Sequence, residues 1–225
     1  RIKAQQAMTA RTLSVHGLLQ DNGSWATGHS IDVTTIPGNT GNWDQSTSAR
    51  QDIKRSLAYA VEKVMLATLS VVRRKDLQLV LSPDAARSMS ESQEIVEHIK
   101  SSPDAYSQVV GEAGKWGEYQ LPDRLYGIDI VVEDAVRVSS QRGATLASSF
   151  ICDNDEAYLL ARPGSLVAES GGPSFSTIHL FLAEDMTVWT NDNEDDRRTE
   201  GHVVDDFDVV GTAPASGFRF ENILS

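Results

Sequence analysis

The chain has 225 residues, a formal net charge of −12, 40% hydrophobic and 23% charged residues. That length supports one large or two small domains with a real core, and the acidic balance excludes nonspecific nucleic-acid binding over the whole surface, which needs clustered Lys and Arg. No apolar run approaches the roughly 20 residues of a membrane span, and the single cysteine, Cys152, excludes an internal disulfide framework or a cysteine-rich zinc site.

In chain order, the sequence opens on Arg1 with no signal-peptide pattern and no initiator methionine, so it reads as a fragment or processed product with a part missing before it. Residues 12–16 (TLSVH) are expected as a strand. Residues 19–46 are rich in Gly, Asn, Asp, Ser and Thr, with Trp25 and Trp43 as isolated anchors. They read as an extended, loop-rich segment with one strand at 31–36.

The strongest helix pattern follows, STSARQDIKRSLAYAVEKVMLATLSVVRRKD. Ile53, Leu57, Ala60, Val61 and Val64 recur at the spacing of one helical face. Ser48 with Gln51 is expected to form a capping box, and Arg73, Arg74 and Lys75 to complement the dipole at the far end. The expected helix is about 26 residues, or roughly 39 Å. The stretch DLQLVLSPDAARSM then predicts a strand, Leu77–Leu81, and a helix with Ser82 as N-cap and Pro83 in its first turn. This strand-to-helix joint carries no phosphate-binding glycines and no Lys, His or Cys.

Further helices are expected at residues 92–101, burying Ile95, Val96 and Ile99, and at 105–114. A strand is expected at Ile128–Val132. Residues 148–162 read as a hairpin turning at Asp153-Asn154-Asp155, and residues 177–191 as a second hairpin turning at Glu184-Asp185. A last strand pattern covers residues 201–214. Helices come early and strands late without regular alternation, which predicts an α+β fold.

The chemical signals are sparse. Of the five histidines, His16, His29, His98, His179 and His202, no two have the spacing of a zinc helix motif. His98, among Glu94, Glu97 and Lys100, reads as part of a solvated face. Cys152, in the apolar run SFICD, reads as a core residue. GPSFS lacks the spacing of a nucleophile elbow, and GEAGKWG that of a dinucleotide or phosphate loop. NDNEDD, residues 191–196, has alternating oxygen ligands, but Arg197 stands where a calcium loop needs glycine. From Glu184 to Asp208 there are ten carboxylates and two arginines, read as a charge-rich hairpin and loop. No catalytic, cofactor-binding or metal-ligating residue is assigned, and the chain is not expected to be an enzyme.

Several segments, taken in order, resemble a known family. NWDQSTSARQDI (42–53) is similar to the Trp-Asp turn before a spine helix, and LQLVLSPDAARSM (77–89) to the strand, Ser-Pro and short helix that follow it. LYGIDIVVEDAVRVSS (125–140), SSFICDNDEAYLLARPG (148–164), GPSFSTIHLF (172–181) and TNDNEDDRRTEGHVVDDFDVVGTAPASGFRFENIL (190–224) are similar to its later strands. Together they resemble the tailed-phage major capsid protein of the Hong Kong 97 type, phage or prophage encoded. The long extended loop and N-terminal arm of that family are not visible, so no cross-linking residue is assigned.

The resemblance implies an α+β capsid fold with a long spine helix, peripheral-domain strands and a mixed α/β axial domain. Residues 1–46 would be an extended N-terminal segment, 47–76 with 173–208 the peripheral domain, and 77–172 with 209–225 the axial domain. The implied function is self-assembly, through pentamers and hexamers of the chain itself, into an icosahedral shell around a phage genome. Scaffold, maturation protease and portal proteins are the implied further partners; packaged DNA is contacted only indirectly, and no membrane is involved. The implied location is the virion, and the host bacterial cytoplasm during assembly. The alternatives are an encapsulin-like compartment shell of the same fold and, from another class, an uncharacterised hydrolase.

Overall fold

The computed structural model describes residues 2–101, 119, 121–140, 144–145, 147–162, 176–193 and 198–225. The expected helix at 105–114 and the GEAGKWG segment lie outside these residues. The fold is α+β. Among the described residues, helices α1 (Ile2–Leu19), α2 (Asp52–Ala67), α3 (Pro83–Glu91) and α4 (Gln93–Ser101) accompany ten strands. These strands are β1 (Ser30–Asp32), β2 (Leu77–Leu81), β3 (Arg124–Leu125), β4 (Ile128–Val132), β5 (Val136–Val138), β6 (Ser148–Phe150), β7 (Glu156–Ala161), β8 (Ile178–Asn193), β9 (Arg198–Gly211) and β10 (Phe218–Glu221).

Six of them form a mixed sheet in the order β1-β10-β7-β2-β4-β3, with β1 parallel to β10 and β2 parallel to β4. The parallel step from β2 to β4 is bridged by α3 and α4, as a parallel pair requires a crossover. Strand β2 is central and apolar on both sides. Leu77, Leu79 and Leu81 join the main core with Ile53, Leu57, Val61 and Val64 of α2, Leu159 of β7 and Phe218 and Phe220 of β10. Val80 points the other way, into a second cluster with Leu19, Trp25, Cys152 and Tyr158. Burial on both faces explains why LQLVL reads as a nearly continuous apolar run.

The strand-to-helix joint forms as expected. The Ser82 hydroxyl accepts the Ala85 N–H at 3.1 Å, and Pro83 begins α3, where its missing N–H has no partner to lose. Ile95 is fully buried, whereas Val96 and Ile99 are half-buried.

The start of α2 differs from expectation. Gln51 takes a left-handed conformation, φ 52°, and no side chain of α2's own N-cap closes the helix. The cap comes from α4 instead. The buried Glu94 carboxylate accepts the N–H groups of Ile53 and Lys54, each at 3.0 Å, and the hydroxyls of Ser46 and Tyr126. The Ser46 hydroxyl accepts the N–H of Asp52 at 3.0 Å. A carboxylate at a helix N-terminus also meets the positive end of the dipole.

The end of α2 differs as well. The helix stops at Ala67 after 16 residues, about 24 Å, so Arg73, Arg74 and Lys75 lie beyond it. Leu69 donates its N–H to Leu66 at 3.4 Å, and Ser70 to Met65 at 2.8 Å. That is the hydrogen-bond pattern of a Schellman turn, which normally has glycine at the left-handed position. Here Leu69 occupies it at φ 51°, followed by Ser70 at 62°. The chain then turns back to bury Val72 in the main core.

Three strand expectations also change. Residues 12–16 are part of α1, not a strand. The strand expected at 31–36 is β1 followed by a single 3-10 turn, Val33–Thr35. The turn at Asp153-Asn154-Asp155 exists but does not close a hairpin: β6 pairs with β5 and β7 enters the main sheet.

Glu94→Ala leaves buried donors of α2, Ser46 and Tyr126 unpaired and is expected to lower unfolding free energy by about 3 kcal/mol, measured by urea denaturation. Leu69→Gly is expected to raise it by about 0.5–1 kcal/mol, because relief of the left-handed strain exceeds the entropy glycine adds to the unfolded chain; the same titration checks it.

Candidate assembly surface

Of the acidic stretch from Glu184 to Asp208, residues 184–193 and 198–208 lie in a separate two-stranded sheet, β8 paired with β9, of 16 and 14 residues. Such lengths exceed the usual 3–10 residues of a strand. Glu184-Asp185 is not a turn. The five steps from Leu182 to Thr187 face three steps from Phe207 to Val204, so β8 carries two additional residues there as a bulged stretch. A polar pair in mid-strand resembles a turn in sequence, and only the pairing partner distinguishes the two.

The bulge presents Asp185 to α1. Arg11 donates to Asp185 at 3.0 Å and, through Nε, to Asp205 at 2.8 Å, and its guanidinium lies 5.8 Å from the centre of the Phe207 ring. These hydrogen bonds hold both carboxyls below the usual range and push the guanidinium further up. On β9, alternate residues Val203, Asp205, Phe207 and Val209 are half-buried, whereas Val204, Asp206, Asp208 and Val210 are exposed. Helix α1 contacts β9 more extensively than β8. The exposed side therefore mixes apolar and acidic groups: Phe181 is 53% and Trp189 44% exposed, with Val204 and Val210 also exposed beside Glu184, Asp206 and Asp208, whereas Leu180, Leu182 and Val188 pair with Val209, Phe207 and Val203 and so lie on the side towards α1. Trp189 stacks on His202 across the strands at 5.4 Å. Large apolar residues grouped on an exposed face are a feature of interaction surfaces.

Helix α1 also ties this ribbon to the main sheet. Its last residues pack into the second cluster, where the Trp25 ring stacks parallel to Tyr158 at 6.5 Å and donates Nε1–H to Leu19 at 2.8 Å. His16 lies edge-on to Tyr158 at 5.8 Å, with Nδ1 buried and without a hydrogen-bond partner, and burial holds its pKa below the ordinary value. Cys152 is buried in the same cluster, as expected, and its thiol is pushed up to about 12, first by burial and then by Glu133, Asp153 and Glu156.

The other histidines are dispersed. His29 is buried, with Nδ1 2.8 Å from the Gly217 carbonyl. His98 is half-buried with its ring 4.9 Å from Tyr126, rather than on a solvated face. His179 lies beside Phe181, and His202 lies 3.7 Å from Glu200. Among the described residues, no group of three His, Cys, Asp or Glu side chains is placed to hold a metal ion, and no helix is long and apolar enough to cross a membrane. Of the NDNEDD segment, residues 194–196 lie outside the described residues.

A second exposed apolar group stands at the end of α2, where Leu66 is 68%, Leu69 88% and Val71 53% exposed. Arg73, Arg74 and Lys75 follow it on the surface. Arg162 adjoins them, with its backbone N–H 2.8 Å from the Asp76 carbonyl and its guanidinium on the Lys75 carbonyl. Sequence reasoning missed this knob because it continued the helix through it. The available signal was Leu69, which falls off the helical face set by Ile53 to Val64, whereas Val71 stays in phase with that face.

No family model matches the chain, and no curated protein matches it. Among solved structures, its fold is similar to that of a phage-related protein from Bordetella bronchiseptica RB50, with a TM-score of 0.63 and 13% sequence identity. The match covers 95% of this chain and 63% of the other, so the chain spans less than two thirds of the length of the protein it matches.

Because the depressed His16 pKa keeps the ring neutral in the folded state, its contribution is present above the unfolded value of about 6.5 and is lost as pH falls below it. His16→Phe is therefore expected to flatten the fall in stability between about pH 6.5 and 5, measured by urea unfolding across that range.

Proposed function

We propose that the chain is a structural major capsid protein, of the tailed-phage Hong Kong 97 type, whose copies assemble into an icosahedral shell around a phage genome. The observation that carries this reading is the likeness of fold, over 95% of the chain, to a phage-related protein. The ordered set of segments from the Trp43 turn through the Ser82-Pro83 joint to the closing strands supports it. So does the exposed apolar face of the β8–β9 ribbon, since a subunit that builds a shell must keep apolar surface free until it meets its neighbours. In this reading the strand-to-helix joint sets geometry and needs no reactive group. Copies form rings through heterologous contacts that close by rotation. The chain is a building block rather than a catalyst. Its further partners are scaffold, maturation protease and portal proteins, and it resides in the host cytoplasm before assembly and in the virion afterwards. The high negative charge keeps unassembled subunits soluble and lets a container hold DNA without gripping it.

Negative-stain electron microscopy of the gene product, co-expressed with its neighbouring genes, tests this. Uniform round shells, empty or filled with scaffold, are the expected result. Shells filled with an enzyme would reassign the chain to an encapsulin-like compartment. Abundant soluble protein that yields only small particles across salt and pH conditions would overturn the shell reading.

A further inference from the structure

We infer that the exposed face of the β8–β9 ribbon is the docking site for the α2-end knob of a second copy of this chain. The inference rests on the self-assembly reading and gives it a specific contact.

Two surfaces of one chain match in chemistry and oppose in charge. The ribbon offers Phe181, Trp189 and Val210 among the exposed carboxylates Glu184, Asp206 and Asp208. The knob offers Leu66, Leu69 and Val71 beside Arg73, Arg74 and Lys75. Among the described residues neither Arg73 nor Lys75 makes an ion pair, so their charge is free to meet another surface. The ribbon is the two-stranded β8–β9 sheet, whereas the knob is the end of α2, whose Val61 and Val64 pack in the core of the six-stranded sheet. Pairing ribbon to knob is therefore heterologous, the type of contact that makes rings when its rotation closes.

The knob is also held in a form that packing within one chain does not reward. Leu69 adopts a left-handed conformation that disfavours a leucine, and its side chain is 88% exposed. Backbone strain that presents an apolar side chain to solvent is a feature of ligand clamps and contact sites. Glycine would close the same turn without strain, but it would remove the apolar tip.

The test uses sedimentation velocity of the whole chain over rising concentration, with cysteine cross-linking as a second measurement. Replacing Arg73, Arg74 and Lys75 by Glu, or Glu184, Asp206 and Asp208 by Lys, is expected to weaken self-association about tenfold or more, and combining both sets in one chain to restore it. Leu69→Gly is expected to weaken association while the fold becomes more stable, a combination that a purely structural role for Leu69 would not give. In an oxidising mixture of Leu69→Cys and Phe181→Cys chains, the mixed disulfide is expected to dominate, since Cys152 is buried. Association unchanged by both charge reversals, cross-links only between like positions, or no mixed cross-link at any concentration would each overturn the inference. Shells that form without the mixed cross-link would remove this contact and leave the capsid reading. A mixed cross-link in a chain that never forms shells, even with its neighbouring genes, would keep the contact and remove the capsid reading.

Discussion

A single buried carboxylate, Glu94, holds the first turn of α2, the loop at Ser46, the start of α4 and the Tyr126 hydroxyl in one hydrogen-bonded group. A buried carboxylate is tolerated only when its oxygens are satisfied, and here four donors converge on it, two of them at the positive end of a helix dipole. The consequence is geometric. Helix α2 cannot shift along the sheet without breaking the link to α4, and α4 is part of the crossover that sets β2 parallel to β4. The position of the main core therefore depends on a contact 41 residues apart in sequence, Ile53 to Glu94.

The six-stranded sheet then divides the molecule into two environments. One face is dry and large, with α2 on it, and the C-terminal strand closes it: Trp43 packs 5.1 Å from Phe220 and donates its backbone N–H to Ile223. The other face carries the smaller cluster around Tyr158, where α1 ends. Because α1 also reaches the β8–β9 ribbon through Arg11, one helix connects the rigid sheet to the exposed ribbon. Its two attachments use different physics, apolar packing near Leu19 at its end and charge-assisted hydrogen bonding at Arg11 in its middle.

What was legible in the sequence follows from where each signal is local. The strand Leu77–Leu81, the Ser82 cap and Pro83 were readable because propensity, capping and burial agree over a few residues. The true extent of α2 was not. Its N-cap is supplied by Glu94, which no local pattern reveals, and its C-terminus lacks the glycine that usually signals a stop. The long ribbon was hidden by Glu184 and Asp185, a polar pair that a two-residue bulge accommodates and a sequence reader takes for a turn. Helix α1 was hidden because its apolar residues do not gather on one face: Met8 and Leu13 are exposed. Of the candidate surface, the acidic character was visible in composition, but the apolar residues opposite α1 required knowing which residues pair across the ribbon.

The bulged stretch at Glu184 has a further consequence for the chain on its own. A ribbon of two long strands exposes a row of unsatisfied N–H and C=O groups along each outer edge, and an edge of that length is a template for strand addition by any similar chain. The two additional residues of β8 break the regular spacing of those groups midway, and carboxylates on both strands repel a second ribbon of the same sign. The chain is thereby steered away from fibrous edge-to-edge stacking while its ribbon remains open.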